Sequence, residues 1–504
     1  MSQTRKRIGK FITLLRTQRG MTQKDFAIAL KTSQSAIARI EKGEQNLSMD
    51  MLEKIGNIFG KNIVTLASGA INFRIEGGHK LHGTIVTNTS KNAAVALLCA
   101  SLLNKNVTRL KNMPRIEEIH RIIEVLASIG TSVKWQGNDL EIKPPKKLVI
   151  KKMNLESAQK TRSVIMLLGP LIHWASKFRL PQPGGCKLGS RTIRPHLYAL
   201  ESLGVRMKKT VKGLEVRAER LTSREIVLYE AGDTVTENIM MAAAKIPGIT
   251  TIKFASANYQ VQDLCFFLEK LGVKIEGIGT TTLRIHGKKE INTPITYYPA
   301  EDPIESMFFL SAAITTQSSI TIQRCPIDFL ELELLKLEKM GAKFQLLRRY
   351  VSRNGHTRLV DIKTLPAKLH ALEDKIHPQP YPGLNIDNLP FFIPIATQAE
   401  GRTLIHDWVY ENRMIYAMEM TKLNAKIMLV DPHRLSIEGP IQLQAAEIIC
   451  PPALRIAAII LIAMLAARGV SLLRNVYSIN RGYEDICKRL QNLGAHIELI
   501  QSFD

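Results

Sequence analysis

Leu126-Ala-Ser-Ile-Gly130-Thr-Ser-Val133 carries the apolar end of a helix into a single glycine and out into an alternating strand. The same phrase returns as Leu200-Glu-Ser-Leu-Gly204-Val-Arg-Met207, Leu268-Glu-Lys-Leu-Gly272-Val-Lys-Ile275 and Leu337-Glu-Lys-Met-Gly341-Ala-Lys-Phe344. It appears twice more, as Met420-Thr-Lys-Leu-Asn424-Ala-Lys-Ile427 and Leu490-Gln-Asn-Leu-Gly494-Ala-His-Ile497. The turn positions lie 74, 68, 69, 83 and 70 residues apart. Gly or Asn at each predicts a left-handed residue closing a helix, because those two residues reach positive φ at least cost. One such junction is commonplace. Six at near-regular spacing, in units too long for a solenoid, predict a duplicated α/β domain.

Around this core the composition is that of a globular protein. The chain has 504 residues, 45% apolar and 23% charged, which predicts two to four domains and excludes a disordered or collagenous chain. Its longest apolar run, residues 456–467, is too short to span a bilayer, so no membrane partner is expected. The basic start at Arg5, Lys6 and Arg7 leads into an amphipathic stretch interrupted by Arg16 and Arg19, unlike a signal peptide. The six cysteines form no C-x-x-C pair, which predicts reduced thiols in a cytoplasmic protein, with neither a zinc site nor a disulfide framework. The net charge of +24 implies acidic partners and divides unevenly. Residues 1–70 hold 12 Lys/Arg and 5 Asp/Glu, against 57 and 40 in the remainder. One partner does not account for both.

The first segment reads as short helices. Phe11, Leu14 and Leu15 form one stripe, Thr22 and Ser33 are expected N-caps for the next two helices, and a fourth runs near Ser48 to Phe59. Met21-Thr-Gln-Lys-Asp-Phe-Ala27, followed by Ser33-Gln-Ser-Ala-Ile-Ala-Arg-Ile-Glu-Lys-Gly43, resembles the Xre/Cro-type helix-turn-helix family. The resemblance implies a DNA-binding domain over residues 1–66, with Gln34, Ser35 and Arg39 facing the major groove and Gln23 near a phosphate. Gln and Arg suit bidentate readout of adenine and guanine. Double-stranded DNA is therefore an expected partner, and a homodimer on paired half-sites an expected assembly. A helical module used only for dimerisation is the alternative.

The sixfold organisation from Phe73 to Ile500, with the motifs that follow, resembles the enolpyruvyl transferases. That resemblance implies a two-domain inside-out α/β barrel of six βαβαββ-like repeats, attached to the N-terminal all-α domain by a link near residues 67–70. One half is expected to hold residues 71–90 and 299–504, the other residues 91–298. The implied reaction moves the enolpyruvyl group of phosphoenolpyruvate to the 3-hydroxyl of UDP-N-acetylglucosamine in peptidoglycan synthesis. No cofactor or metal is required, because Lys and Arg can hold the phosphate and carboxylate.

Residue by residue, Thr89-Ser-Lys-Asn-Ala-Ala94 implies Lys91 at phosphoenolpyruvate and Asn92 at the sugar. Pro183-Gly-Gly-Cys-Lys-Leu-Gly-Ser-Arg191 matches the catalytic loop, with Cys186 as proton donor. Lys187 and Arg191 beside it favour the thiolate. Asp387, in Pro382-Gly-Leu-Asn-Ile-Asp387, corresponds to the carboxylate at the sugar hydroxyl, a candidate general base. Val409-Tyr-Glu-Asn-Arg413, Arg455 and Arg481 match further active-site positions, the last two as a phosphoenolpyruvate clamp. Arg162, Arg191, Thr192, Ile193, Arg194 and Val409 complete the expected substrate contacts.

Departures accompany these matches. Arg194 stands where the family has a uridine-binding Asp, and Glu230 where it has a Lys, two charge reversals expected in one pocket. Gly232-Asp-Thr-Val-Thr236 replaces Ser-Val-Gly-Ala-Thr, and Asn258-Tyr-Gln260 replaces Glu-Pro-Glu. Ala453 replaces an active-site Asp, and Ile386-Asp-Asn-Leu-Pro-Phe391 replaces Thr-Asp-Met-Gln-Ala-Gln. A lost acid–base carboxylate costs roughly 10²–10⁴-fold in rate. The runner-up reading is therefore a DNA-binding transcriptional regulator whose transferase-like body senses a ligand with weak turnover.

Overall fold

The computed structural model describes residues 71–181, 184, 192–211 and 213–501, and in the N-terminal segment Gly9 and residues 12–13, 15–17, 21–45, 47, 51, 54–55 and 58. The expectations placed on Phe11, Leu14, the 67–70 link, Cys186, Lys187 and Arg191 lie outside them. By contact density the chain forms two units, one of residues 1–73 with 499–504 and one of residues 74–498.

In the first unit, helices Gln23–Ala29 and Gln34–Lys42 follow one another across a short turn. Thr22 caps the first in a reciprocal box with Asp25, and the Ser33 hydroxyl accepts from Ala36 N to cap the second. Gly43, at φ 74°, ends it. Phe26, Leu30, Ile37 and Ile40 pack with Ile12, Leu15 and Ile55 as the core. Gln34, Ser35 and Arg39 on the second helix are exposed. Gln23 donates its amide to Glu41 at 2.8 Å, and Arg16 meets the same carboxylate at 2.5 Å.

The body contains six small sheets, five of four strands and one of three, among the described residues. All six junction residues have positive φ, with Gly130 at 102°, Gly204 at 96°, Gly272 at 86°, Gly341 at 87°, Asn424 at 67° and Gly494 at 83°. Five of the junctions open an antiparallel hairpin. In the first, Ser132–Gln136 pairs with Asp139–Lys143, which pairs with Thr108–Leu110, and Ile295–Tyr297 closes that sheet in parallel. Three sheets use strands between residues 108 and 297, and three use strands from 71–86 and 319–501. The strand His82–Val86 joins the second group by pairing in parallel with Ser319–Pro326.

The most apolar helices lie inside. Lys91–Ala100 is buried from Ala93 onward, Asp233–Ala243 from Val235, Pro303–Thr315 throughout, and Leu454–Ala466 through Leu465. A helix without a polar face must be enclosed on every side. Pro303–Thr315 packs on Leu454–Ala466 and Phe392–Ala396, and Lys91–Ala100 packs on Tyr259–Lys270. Only the first turns of such helices can present polar groups to a ligand. The two segments that cross between the sheet groups run side by side, joined by Ser90 N to Ala300 O at 2.8 Å and Asp302 N to Asn88 O at 2.9 Å.

Candidate active site

Those first turns converge on a cleft of about 760 Å³. The Ser90 hydroxyl caps Lys91–Ala100 by accepting from Ala93 N, which aims Lys91 and Asn92 at the opening. Lys91 Nζ lies 2.7 Å from Glu118 Oε2, and Glu118 Oε1 accepts from the Thr161 and Ser163 hydroxyls at 3.1 and 2.5 Å. Burial alone would raise the Glu118 pKa. Lys91, Ser163 and Arg481 outweigh it and hold the carboxyl at about 2, so it stays ionised. Asn92 donates to the Tyr259 hydroxyl at 3.1 Å, and Arg162 Nη2 to Thr192 O at 3.0 Å.

On the opposite wall Asp387 faces two guanidiniums. Its Oδ2 accepts from Arg455 Nη2 at 3.2 Å, and its Oδ1 is 3.7 Å from Arg413 Nη1. Burial pushes this carboxyl up, but Arg455, Arg413 and Lys91 pull it below the usual aspartate range. Arg413 is 1% exposed. It donates through Nε to Asp407 at 2.6 Å and through Nη2 to Ile386 O at 2.9 Å, so its main contacts are with the protein. Asp407 in turn accepts from Val409 N and Tyr410 N, both at 3.2 Å, and thereby shapes the Val409–Arg413 stretch. Arg455 follows Ala453, the N-cap of Leu454–Ala466, which offers no side-chain cap. Its Nη1 donates to Tyr483 at 3.2 Å. Arg481 also lines the cleft, and its Nε is buried without a hydrogen-bond partner, a donor available to an anion.

Lys91, Asn92, Arg162, Thr192, Asp387, Val409, Arg413, Arg455 and Arg481 thus line one cleft. Ile193 and Arg194 are not among the lining residues, because the chain turns into the helix Arg194–Ser202 there and Arg194 is exposed. Glu230, the other expected charge reversal, lines the cleft. The other departures form a connected set. Asp233 accepts from Ser256 Oγ at 2.5 Å and Asn258 Nδ2 at 3.0 Å, so the amide at 258 faces a carboxylate at 233. Glu237, one helical turn further, is 1% exposed with Oε1 unpartnered. Burial, then Asp233 and Asp263, raise its pKa well above the glutamate range, which favours the neutral carboxyl.

Sequence reasoning missed Glu118, Asp407, Asp233 and Glu237. Asp407 precedes a motif that was read, so its place beside Val409–Arg413 was the available signal. Glu118 looks like an ordinary first-turn acid of Glu117–Ser128. The cleft as a whole can hold a substrate bearing several negative charges against Lys91, Arg162, Arg455 and Arg481. It also sets an ionised carboxylate beside them as a proton acceptor.

Known proteins resemble the chain over most of its length. Residues 40–490 match the family model for EPSP synthase (3-phosphoshikimate 1-carboxyvinyltransferase), and residues 12–66 match a helix-turn-helix model. The UDP-N-acetylglucosamine 1-carboxyvinyltransferase of Bradyrhizobium diazoefficiens is 34% identical over 85% of this chain and 98% of its own. That of Treponema denticola is 34% identical over 84% and 98%. An enolpyruvyl transferase from Streptomyces tendae superposes with a TM-score of 0.73 over 86% of this chain and 100% of its own, at 24% identity, a likeness of fold. With most of its length matched in this way, the chain belongs to the enolpyruvyl transferase family.

Proposed function

We propose that the protein transfers the enolpyruvyl group of phosphoenolpyruvate to the 3-hydroxyl of UDP-N-acetylglucosamine, releasing phosphate, as a cytoplasmic step of peptidoglycan synthesis. The observation that carries this reading is Asp387, an ionised carboxylate held by Arg455 and Arg413 in a cleft that also presents Lys91 and Arg481. In the proposed reaction Asp387 takes the proton of the sugar hydroxyl as its oxygen attacks C2 of phosphoenolpyruvate. Cys186 gives a proton to C3. Loss of that carbon's proton then expels phosphate and restores the double bond. Lys91, Arg162, Arg191, Arg455 and Arg481 hold the charged groups, while Arg413 positions Asp387. In this proposal residues 91–298 form one half of the enzyme, and residues 71–90 with 299–504 form the other.

Phosphate release from phosphoenolpyruvate, measured across a panel of UDP-sugars, tests the proposal. Turnover with UDP-N-acetylglucosamine that Cys186→Ala abolishes supports it, and alkylation of Cys186 by fosfomycin is expected. Ala453 and the helix-turn-helix match favour a second reading, a DNA-binding regulator that senses its ligand with weak turnover. In either case residues 1–66 are proposed to bind double-stranded DNA through Gln34, Ser35 and Arg39, as a homodimer. Absent turnover, together with ligand-dependent binding of a specific DNA site, would reject the enzyme in favour of the regulator.

A further inference from the structure

The positive charge of the body is confined to one part. Residues 91–298 hold 33 Lys/Arg against 17 Asp/Glu, whereas residues 71–90 and 299–504 together hold 24 against 23. Within that part, one sheet departs from a charge pattern that two other sheets show. In the sheet of Thr108–Leu110, Glu141 lies between Arg109 and Lys134, and the Arg109–Glu141 pair is 3.0 Å. In the sheet of Ala399–His406, Glu438 lies between Arg402 and Lys426, at 3.4 and 3.2 Å. An anion at the centre of each row cancels two cations directly opposite it.

The three-stranded sheet of Lys177–Leu180, Gly213–Arg217 and Arg206–Thr210 has one row of this kind, Arg179–Glu215–Lys208, with Arg179 and Glu215 at 3.0 Å. Its neighbouring row is Lys177–Arg217–Arg206, three cations in register with a cation at the centre. Lys177 meets Glu219 at 3.3 Å, and all three cations are exposed. The inward row between them, Phe178–Val216–Met207, fixes this register by packing on the core, so the like charges cannot slip apart. Directly opposed like charges destabilise a sheet. The arrangement is stabilised when a polyanion covers it.

We propose that this outer sheet face binds the phosphodiester backbone of duplex DNA as a second, sequence-independent contact outside the helix-turn-helix segment. Long, flexible Lys and Arg side chains rooted side by side on adjacent strands can each reach a phosphate of one backbone and release its counterions. The outward positions carry no apolar side chain of the kind that enters a lipid interface. Because the same chain carries a segment matching a DNA-binding family, duplex bound there would be at high effective concentration for this face.

Arg217→Glu in the full-length protein tests the proposal, since it recreates the cation–anion–cation row seen at Glu141 and Glu438. The thermal midpoint should rise while affinity for a random-sequence duplex falls. In Arg206→Ala/Lys208→Ala/Arg217→Ala, the slope of log affinity against log salt should shrink by about 2 to 3. Phosphate release should stay unchanged in both variants. Gln34→Ala/Arg39→Ala, acting on the other segment, should weaken binding independently, so the two contacts fail separately. Unchanged duplex affinity and salt slope in the sheet variants would overturn the proposal. So would a loss confined to phosphatidylserine vesicles, which would make the face a lipid-binding one.

Discussion

Glu118→Gln isolates one buried charge in the cleft. Lys91, Ser163 and Arg481 bring this carboxyl from an ordinary 4.5 down to about 2 against the opposing effect of burial. At 1.36 kcal/mol per unit, that shift corresponds to about 3 kcal/mol of stability. Because the folded value is the lower one, the contribution is complete above the unfolded value and is lost as pH falls through the folded one. About 2 kcal/mol of it should therefore disappear between about pH 5 and about pH 3. Urea unfolding of wild type and Glu118→Gln at both pH values measures this. The variant should be the less stable at pH 5, and the gap should narrow by about 2 kcal/mol at pH 3. Its KM for phosphoenolpyruvate should also rise, since Lys91 loses the partner that fixes its ammonium at 2.7 Å. Parallel stability curves would refute the reasoning, because they would mean that Glu118 titrates alike in the folded and unfolded chains.

Asp387→Asn should lower phosphate release by roughly 10²–10⁴-fold, while phosphoenolpyruvate binding, followed by calorimetry, persists. Retained turnover would remove Asp387 as the base. Ala453→Asp supplies both the missing helix cap and the missing carboxylate, so it should raise the thermal midpoint, with about 1 kcal/mol of added stability, and increase turnover. A more stable protein with unchanged turnover would leave Ala453 a capping defect alone. Arg413→Met strips Asp407 of its buried partner and should cost about 3–5 kcal/mol in chemical unfolding. A change under 1 kcal/mol would show that Asp407 is satisfied elsewhere.

The sixfold helix-to-strand plan was legible because each junction falls on a residue that must adopt positive φ, which few residue types tolerate. Asn424 behaves as the glycines do for the same steric reason. Lys91 and Arg455 were legible through short motifs at helix starts, where chain direction fixes side-chain direction, and Asp387 through a motif in the turn before Leu389–Phe391. Glu118 and Glu237 were not, because an acid on a helix looks the same in sequence whether it is solvated or enclosed. What distinguishes them is the arrival from other segments of Thr161 and Ser163 at Glu118 and of Asp263 near Glu237. Arg194 heads the helix Arg194–Ser202 and is exposed to solvent, a placement its motif does not announce.

Pro303–Thr315, buried throughout against Ser319–Pro326, Phe392–Ala396 and Leu454–Ala466, has a consequence during synthesis. The core of residues 94–297 is contiguous and can close as soon as it has been translated. The helix that follows it emerges with its last partner still unmade. At about 5–20 residues per second, Leu454–Ala466 appears roughly 10–30 s later. For that interval a fully apolar helix hangs from an already folded neighbour, an obvious client for a chaperone. The newborn chain is therefore most prone to aggregate after half of its body is already native.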